Sequence, residues 1–140
     1  MPSALSPAQS TPSGEHRLRV LVAEDHELNQ LLIEEAMETL GFDAVIAADG
    51  ESALAALETG AFDAVLMDCH MPGLDGFEAT ARIRAMEADG RRSGRIPIIA
   101  LTAGAFDEDR ERCLAAGMDD FLSKPFDLDT LGGLVRKWCG

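Results

Sequence analysis

The sequence predicts a three-layer α/β protein, an open parallel sheet with helices packed on both faces. Three observations carry that expectation. Five short apolar runs of strand length alternate with segments of helical periodicity. LRVLVA, the first of them, is the short apolar run expected of a strand covered on both faces. At 140 residues, 46% of them apolar, the chain has one domain's worth of core. Alternation of this kind requires right-handed crossovers between parallel strands.

Residues 1–16, MPSALSPAQSTPSGEH, are rich in Ser, Pro and Ala without periodicity, and read as a flexible linker or tail. The patterned domain spans 17–140. LRVLVA (18–23) is the first strand. ELNQLLIEEAMETL (27–40) is a helix with Leu28, Leu31, Leu32, Ala36 and Leu40 at helical spacing, and Gly41 stops it. DAVIAA (43–48) is the second strand, followed by the Ala/Leu helix GESALAALETG (50–60), closed by Gly60. DAVLM (63–67) is the third strand, and a helix follows from Gly76 to Met86 with Asp75 as its N-cap. EADGRRSGR (87–95) breaks the pattern and reads as an exposed loop that solvates Arg91, Arg92 and Arg95. IPIIAL (96–101) is strand four, DEDRERCLAAG (107–117) helix four and DDFLS (119–123) strand five. The last helix carries Leu128, Leu131, Leu134, Val135 and Trp138 on one face.

Charge and cysteine usage narrow the function classes. Twelve basic against 25 acidic residues give a net charge of -13, which argues against a nucleic-acid grip. Cys69, Cys113 and Cys139 have neither CxxC spacing nor an even count and read as reduced thiols of a cytoplasmic protein. Cys139 is a candidate for oxidation between molecules in vitro, while Cys69 and Met71 read as packing. No apolar stretch reaches the roughly 18 residues of a membrane span, and the N-terminus lacks a signal-peptide core, so no membrane contact is expected.

The polar residues fall in a telling place. Ligands of open parallel sheets bind beyond the carboxyl ends of the strands. Strand one ends in Glu24-Asp25, strand three in Asp68, strand four in Thr102 and strand five in Lys124. Each alone has a bland explanation: Asp25 as a helix cap, Thr102 as a turn residue, Lys124 as a surface pair. Four at one sheet edge are harder to dismiss. Clustered carboxylates repel unless a cation intervenes, and oxygen ligands with open positions favour Mg²⁺ bound together with a phosphoryl group. Asp68 at the centre is then a nucleophile that forms an aspartyl phosphate, with Thr102 and Lys124 meeting the phosphoryl oxygens.

LVAEDHELNQ, VLMDCHMPGLDGFEAT, PIIALTA and AAGMDDFLSKPF together resemble the receiver domain of two-component response regulators, over residues 18–138. The wording is most similar to receivers of hybrid sensor histidine kinases. The resemblance implies a doubly wound (βα)5 fold of flavodoxin-like strand order 2-1-3-4-5. It implies a Mg²⁺ site made by Glu24, Asp25, Asp68 and the backbone carbonyl of His70. Asp68 resembles the phosphoacceptor, Thr102 the switch hydroxyl, Phe121 the switch aromatic and Lys124 the phosphate-binding lysine, followed by a cis bond to Pro125. The implied partners are a histidine kinase or histidine phosphotransfer domain as phosphodonor, and a downstream protein or domain reached through helix four, strand five and helix five. A receiver promotes its own phosphorylation and dephosphorylation, and any kinase activity would lie in a parent chain.

Three departures stand out. His26 replaces the Asn usual in hybrid receivers, and His70 and Gly104 occupy positions that tune phosphate lifetime in the family. His26 and His70 raise the idea of pH dependence or a softer metal, although two solvent-facing imidazoles are the preferred reading. Other readings of the chain are a free-standing regulator, a haloacid-dehalogenase-like phosphatase, which lacks its second acid because position 70 is His, and an eroded pseudo-receiver, which the complete site argues against.

Overall fold

A computed structural model describes residues 17–90, 94–102, 107–123 and 126–139. The expectations for residues 1–16, Arg91, Arg92, Gly104, Lys124 and Pro125 lie outside the described residues. Five strands, β1 (Arg19–Ala23), β2 (Asp43–Ala47), β3 (Ala64–Asp68), β4 (Ile98–Thr102) and β5 (Asp120–Ser123), form one parallel sheet in the order β2-β1-β3-β4-β5. Helices α1 (Glu27–Leu40), α2 (Gly50–Thr59), α3 (Gly76–Ala88), α4 (Asp107–Ala116) and α5 (Leu128–Cys139) connect and follow them. The expected order 2-1-3-4-5 is the observed one.

Strand periodicity divides the core in two, because successive side chains point to opposite faces. Leu21, Ala23, Val65, Met67, Ile98 and Ala100 face one layer, where they meet Leu54 and Leu57 of α2, Ile83 of α3 and Cys113 of α4. Val20, Val22, Leu66, Ile99 and Leu101 face the other, against Ile33 and Met37 of α1 and Leu131 and Val135 of α5. Burial on both faces is why β3 and β4 are apolar up to their last residues, Asp68 and Thr102, and all their residues are buried.

Several element details differ from the sequence reading. Strand four starts at Ile98 rather than 96, because Pro97 has no N–H to give; its carbonyl instead accepts from Val65 N at 2.9 Å. β3 extends through Asp68, which pairs in register with Leu101, so the acid belongs to the strand itself. The leucine stripe of α1 is not its core face. Ile33, Ala36 and Met37 are buried, whereas Leu28, Leu31 and Leu32 are 68%, 62% and 54% exposed. On α5, Leu131, Gly132 and Val135 are buried, and Leu128 and Trp138 lie at the margin. The indole N–H of Trp138 donates to Asp120 Oδ2 at 3.0 Å.

Arg95 is not simply solvated. It joins an ionic lattice at the amino edge of the sheet, where its Nη2 lies 2.7 Å from Asp119 Oδ1. Arg84 is the hub, donating to Glu87 Oε1 and Asp119 Oδ2 at 2.9 Å each and to the carbonyls of Ile96 and Gly117. Glu87 and Asp119 in turn accept the amides of Ile96 and Ile98.

Candidate functional site

At the opposite, carboxyl edge, β1 and β3 run side by side, with Ala23 opposite Met67. The residues that follow Ala23 and the last residue of β3 therefore converge. Glu24 is fully buried and Asp68 is 5% exposed. Glu24 is fixed from three directions: its amide donates to Ala47 O, its carbonyl accepts from Gln30 Nε2 at 2.7 Å, and its Oε2 accepts the amide of His26 at 3.1 Å. Gln30 is a positioning residue that sequence reasoning missed. Its place in the first turn of α1, six residues after Glu24, was the available signal.

The loop after β3 is shaped to hold Asp68. The His70 amide donates to Asp68 Oδ1 at 3.1 Å, so the backbone of the acid's own loop orients its carboxylate. The chain turns through Gly73, at φ 76°, and re-enters at α3, whose N-cap Asp75 accepts from Glu78 N as expected. Gly76 N donates to Cys69 O at 3.2 Å, and a Cβ at Gly76 would run into the Asp68 carbonyl oxygen. Only glycine allows that approach, which explains the Gly after Asp75 in GLDG.

Glu24, Asp25, His26 and Asp68 each offer a ligand atom within 4.8 Å of the others. Asp25 Oδ1 is shielded from solvent and has no hydrogen-bond partner among the described residues. A shielded carboxylate oxygen without a hydrogen bond, the nearby His26 ring at 3.3 Å making none, is costly, and a hard cation held by the carboxylates of Glu24, Asp25 and Asp68 relieves it. The donor set thus fits Mg²⁺. Thr102 ends β4, 4% exposed, in register with Ser123 of β5. Phe121 lies two residues earlier on β5, in register with Ala100 and half-buried, its ring 4.4 Å beneath the guanidinium of Arg110 on α4. His70 points elsewhere: its exposed ring stands edge-on to Phe77, with centroids 6.0 Å apart.

The cysteines match their sequence reading in part. Cys69 and Cys113 are buried with Sγ atoms 3.8 Å apart, and Met71 is buried beside them. Cys139 is half-buried, its thiol directed at Asp63 O, and burial, aided by the Asp63 charge, raises its pKa. No helix among the described residues is long and apolar enough to cross a membrane.

Comparison with known proteins agrees with this geometry. The matching family is described as response regulator receiver domain, over residues 20–136. Sensor protein GacS of Pseudomonas syringae is 40% identical over 139 residues, covering 99% of this chain and 15% of that protein. Virulence sensor protein BvgS of Bordetella bronchiseptica is 46% identical over 126 residues, 89% of this chain and 10% of that one. Among solved structures, the receiver domain of sensor histidine kinase PA1611 from Pseudomonas aeruginosa, with magnesium coordinated in its active-site cleft, has a TM-score of 0.80 at 46% identity, covering 89% of this chain and 99% of that one. The receiver of yeast Ssk1, crystallised with the histidine phosphotransfer protein Ypd1, has a TM-score of 0.80 at 28% identity and covers 88% of this chain and 89% of that one. The chain spans 15% or less of the length of these two curated relatives. It belongs to the response regulator receiver family, of the kind carried by hybrid sensor histidine kinases.

Proposed function

We propose that residues 17–140 form a receiver that accepts a phosphoryl group on Asp68 from the phosphohistidine of a kinase or phosphotransfer domain. A carboxylate oxygen of Asp68 attacks phosphorus, the P–N bond breaks, and the donor imidazole leaves with its electron pair. The observation that carries this reading is the nearly buried Asp68 at the end of β3, within 4.8 Å of Glu24 and Asp25 ligand atoms.

Glu24, Asp25, Asp68 and the His70 carbonyl would hold Mg²⁺, which supplies charge neutralisation for the transferring phosphoryl group. Around it, the chain's own residues orient and respond. The His70 amide holds the acceptor carboxylate, Thr102 offers its hydroxyl to the phosphoryl oxygens, and Lys124 adds an ammonium. Thr102 moving toward the phosphoryl group vacates space for Phe121, which couples the site to α4, β5 and α5. A cleft of about 350 Å³ on that face, lined by Arg110, Phe121, Phe126 and Thr130 among others, supports it as the output surface. Exposed Leu28, Leu31 and Leu32 on α1 offer apolar area to a docking phosphodonor. Residues 1–16 serve as a linker, the parent chain is a hybrid kinase, and the setting is cytoplasmic.

The test is labelling with radioactive acetyl phosphate or a phosphorylated phosphotransfer domain, with and without Mg²⁺. Label that requires Mg²⁺ and is abolished in Asp68→Asn supports the assignment; full labelling of that variant refutes it.

A further inference from the structure

The two histidines beside the site have different fates. His70 is committed to the Phe77 ring, outside the group of converging ligand atoms. His26 belongs to that group: its Nδ1 lies 3.3 Å from Asp25 Oδ1 and 3.4 Å from Glu24 Oε2. Metal–ligand bonds of about 2.0–2.2 Å at the tetrahedral angle put neighbouring ligands roughly 3.3–3.6 Å apart. The imidazole nitrogen is thus already near the spacing of an adjacent ligand.

The rest of His26 leaves it available for this role. It stands at the N-cap position of α1 without a side-chain cap hydrogen bond, and its side chain is 69% exposed. Its backbone amide donates to Glu24 independently of the ring, so a change of side chain leaves that hydrogen bond in place. Hard Mg²⁺ selects oxygen donors, whereas imidazole suits Zn²⁺, Co²⁺ and Ni²⁺.

We propose that His26 Nδ1 joins Asp25 and Glu24 in a mixed imidazole–carboxylate centre that holds a borderline transition ion, Zn²⁺ or Co²⁺, more tightly than Mg²⁺. The proposal rests on the reading of this cluster as the metal site. It gives the receiver a second class of ligand, one that competes for the same carboxylates Mg²⁺ would use. Occupancy by Zn²⁺ then slows phosphoryl transfer by displacing the cation that leaves more positions open.

Isothermal titration with Zn²⁺, Co²⁺ and Mg²⁺ separately, on the wild type, His26→Asn, His70→Ala and Asp25→Asn, tests it, with the visible absorption of bound Co²⁺ as a second readout. His26→Asn should weaken Zn²⁺ and Co²⁺ by at least about tenfold, the low end for disturbing even an outer-shell partner, and leave Mg²⁺ within about twofold. Its Co²⁺ band should shift as a nitrogen ligand is lost, and His70→Ala, which lacks that imidazole but keeps His26, should retain the preference for Zn²⁺ over Mg²⁺. An unchanged Zn²⁺ affinity in His26→Asn overturns the proposal. So does an equal change for all three ions in either direction, which would mark a disturbed loop rather than a lost ligand. Mg²⁺ binding unaffected by Asp25→Asn would instead overturn the underlying metal-site reading.

Discussion

Asp127 shows how much one local hydrogen bond carries. It precedes α5 and its Oδ1 accepts the Thr130 amide at 2.7 Å; Asp49 does the same for Ser52 at the start of α2. The backbone hydrogen bond is the main cause that holds each carboxyl below the usual aspartate value. A folded-state pKa below the unfolded one stabilises the fold above the unfolded value of about 3.9, and that contribution is lost as pH falls through the lowered native value. Asp127→Ala should therefore be less stable than the wild type at pH 7, and the two should converge toward pH 3. Asp127→Asn, which can still accept the amide, should lose less at pH 7. Urea melts at both pH values check this, and an Ala deficit that persists undiminished in acid would remove the charge from the explanation. Caps of this kind are legible in sequence because donor and acceptor are three residues apart, as Asp75 was. The raised thiol pKa of Cys139 was not legible, because it depends first on burial of the thiol in the tertiary structure and then on the charge of Asp63, far away along the chain.

Elements are legible where one physical cause dominates. The inner strands β3 and β4 were readable because burial on both faces favours an apolar run, while strand ends moved by one or two residues, by two at Pro97. Amphipathic helices were harder. In α1 the leucines predict a face, yet Ile33, Ala36 and Met37 are what the sheet buries, since two apolar stripes share one helix. The β3–α3 junction is where a glycine's missing Cβ leaves the least room among the described glycines. There the amino end of α3 is pressed against the backbone of Asp68 and Cys69, so that a Cβ at Gly76 meets main chain that cannot move aside. Gly76→Ala should cost about 1–3 kcal/mol, toward the upper end because no flexible side chain can yield. It should also reduce labelling of Asp68 at temperatures where the variant is still folded, since the loop that orients the acceptor shifts. Urea titration and acetyl phosphate labelling of the same sample check both parts; a variant as stable as the wild type would show that the junction is looser than described.

The whole molecule separates its two tasks onto opposite edges of one sheet. Chemistry gathers at the carboxyl edge, and that was legible because topology alone sends the ends of β1, β3 and β4 to one place. Which side chains converge was less so: nothing in the sequence distinguishes the ring of His26 from that of His70. The amino edge was legible only in the i,i+3 pair of Arg84 and Glu87 on α3; the other partners of Arg84 come from a loop and from Asp119, just before β5, and only tertiary structure unites them. There Arg84 is 14% exposed and pairs with Glu87 and Asp119, each 10% exposed. Removing one member of so shielded a network leaves uncompensated charge, which typically costs about 3–5 kcal/mol. Arg84→Ala should fall in that range, moderated at Asp119 because Arg95 still reaches it. Arg84→Lys should recover only part, since an ammonium cannot reproduce the fork that meets two carboxylates and two carbonyls at once. Because the lattice lies at the far edge from Asp68, both variants should take label from acetyl phosphate at the wild-type rate when kept well below their melting temperatures. Thermal melts and labelling kinetics on the same preparations check this: a folded Arg84→Ala with slowed labelling would mean that the two edges are coupled through the sheet.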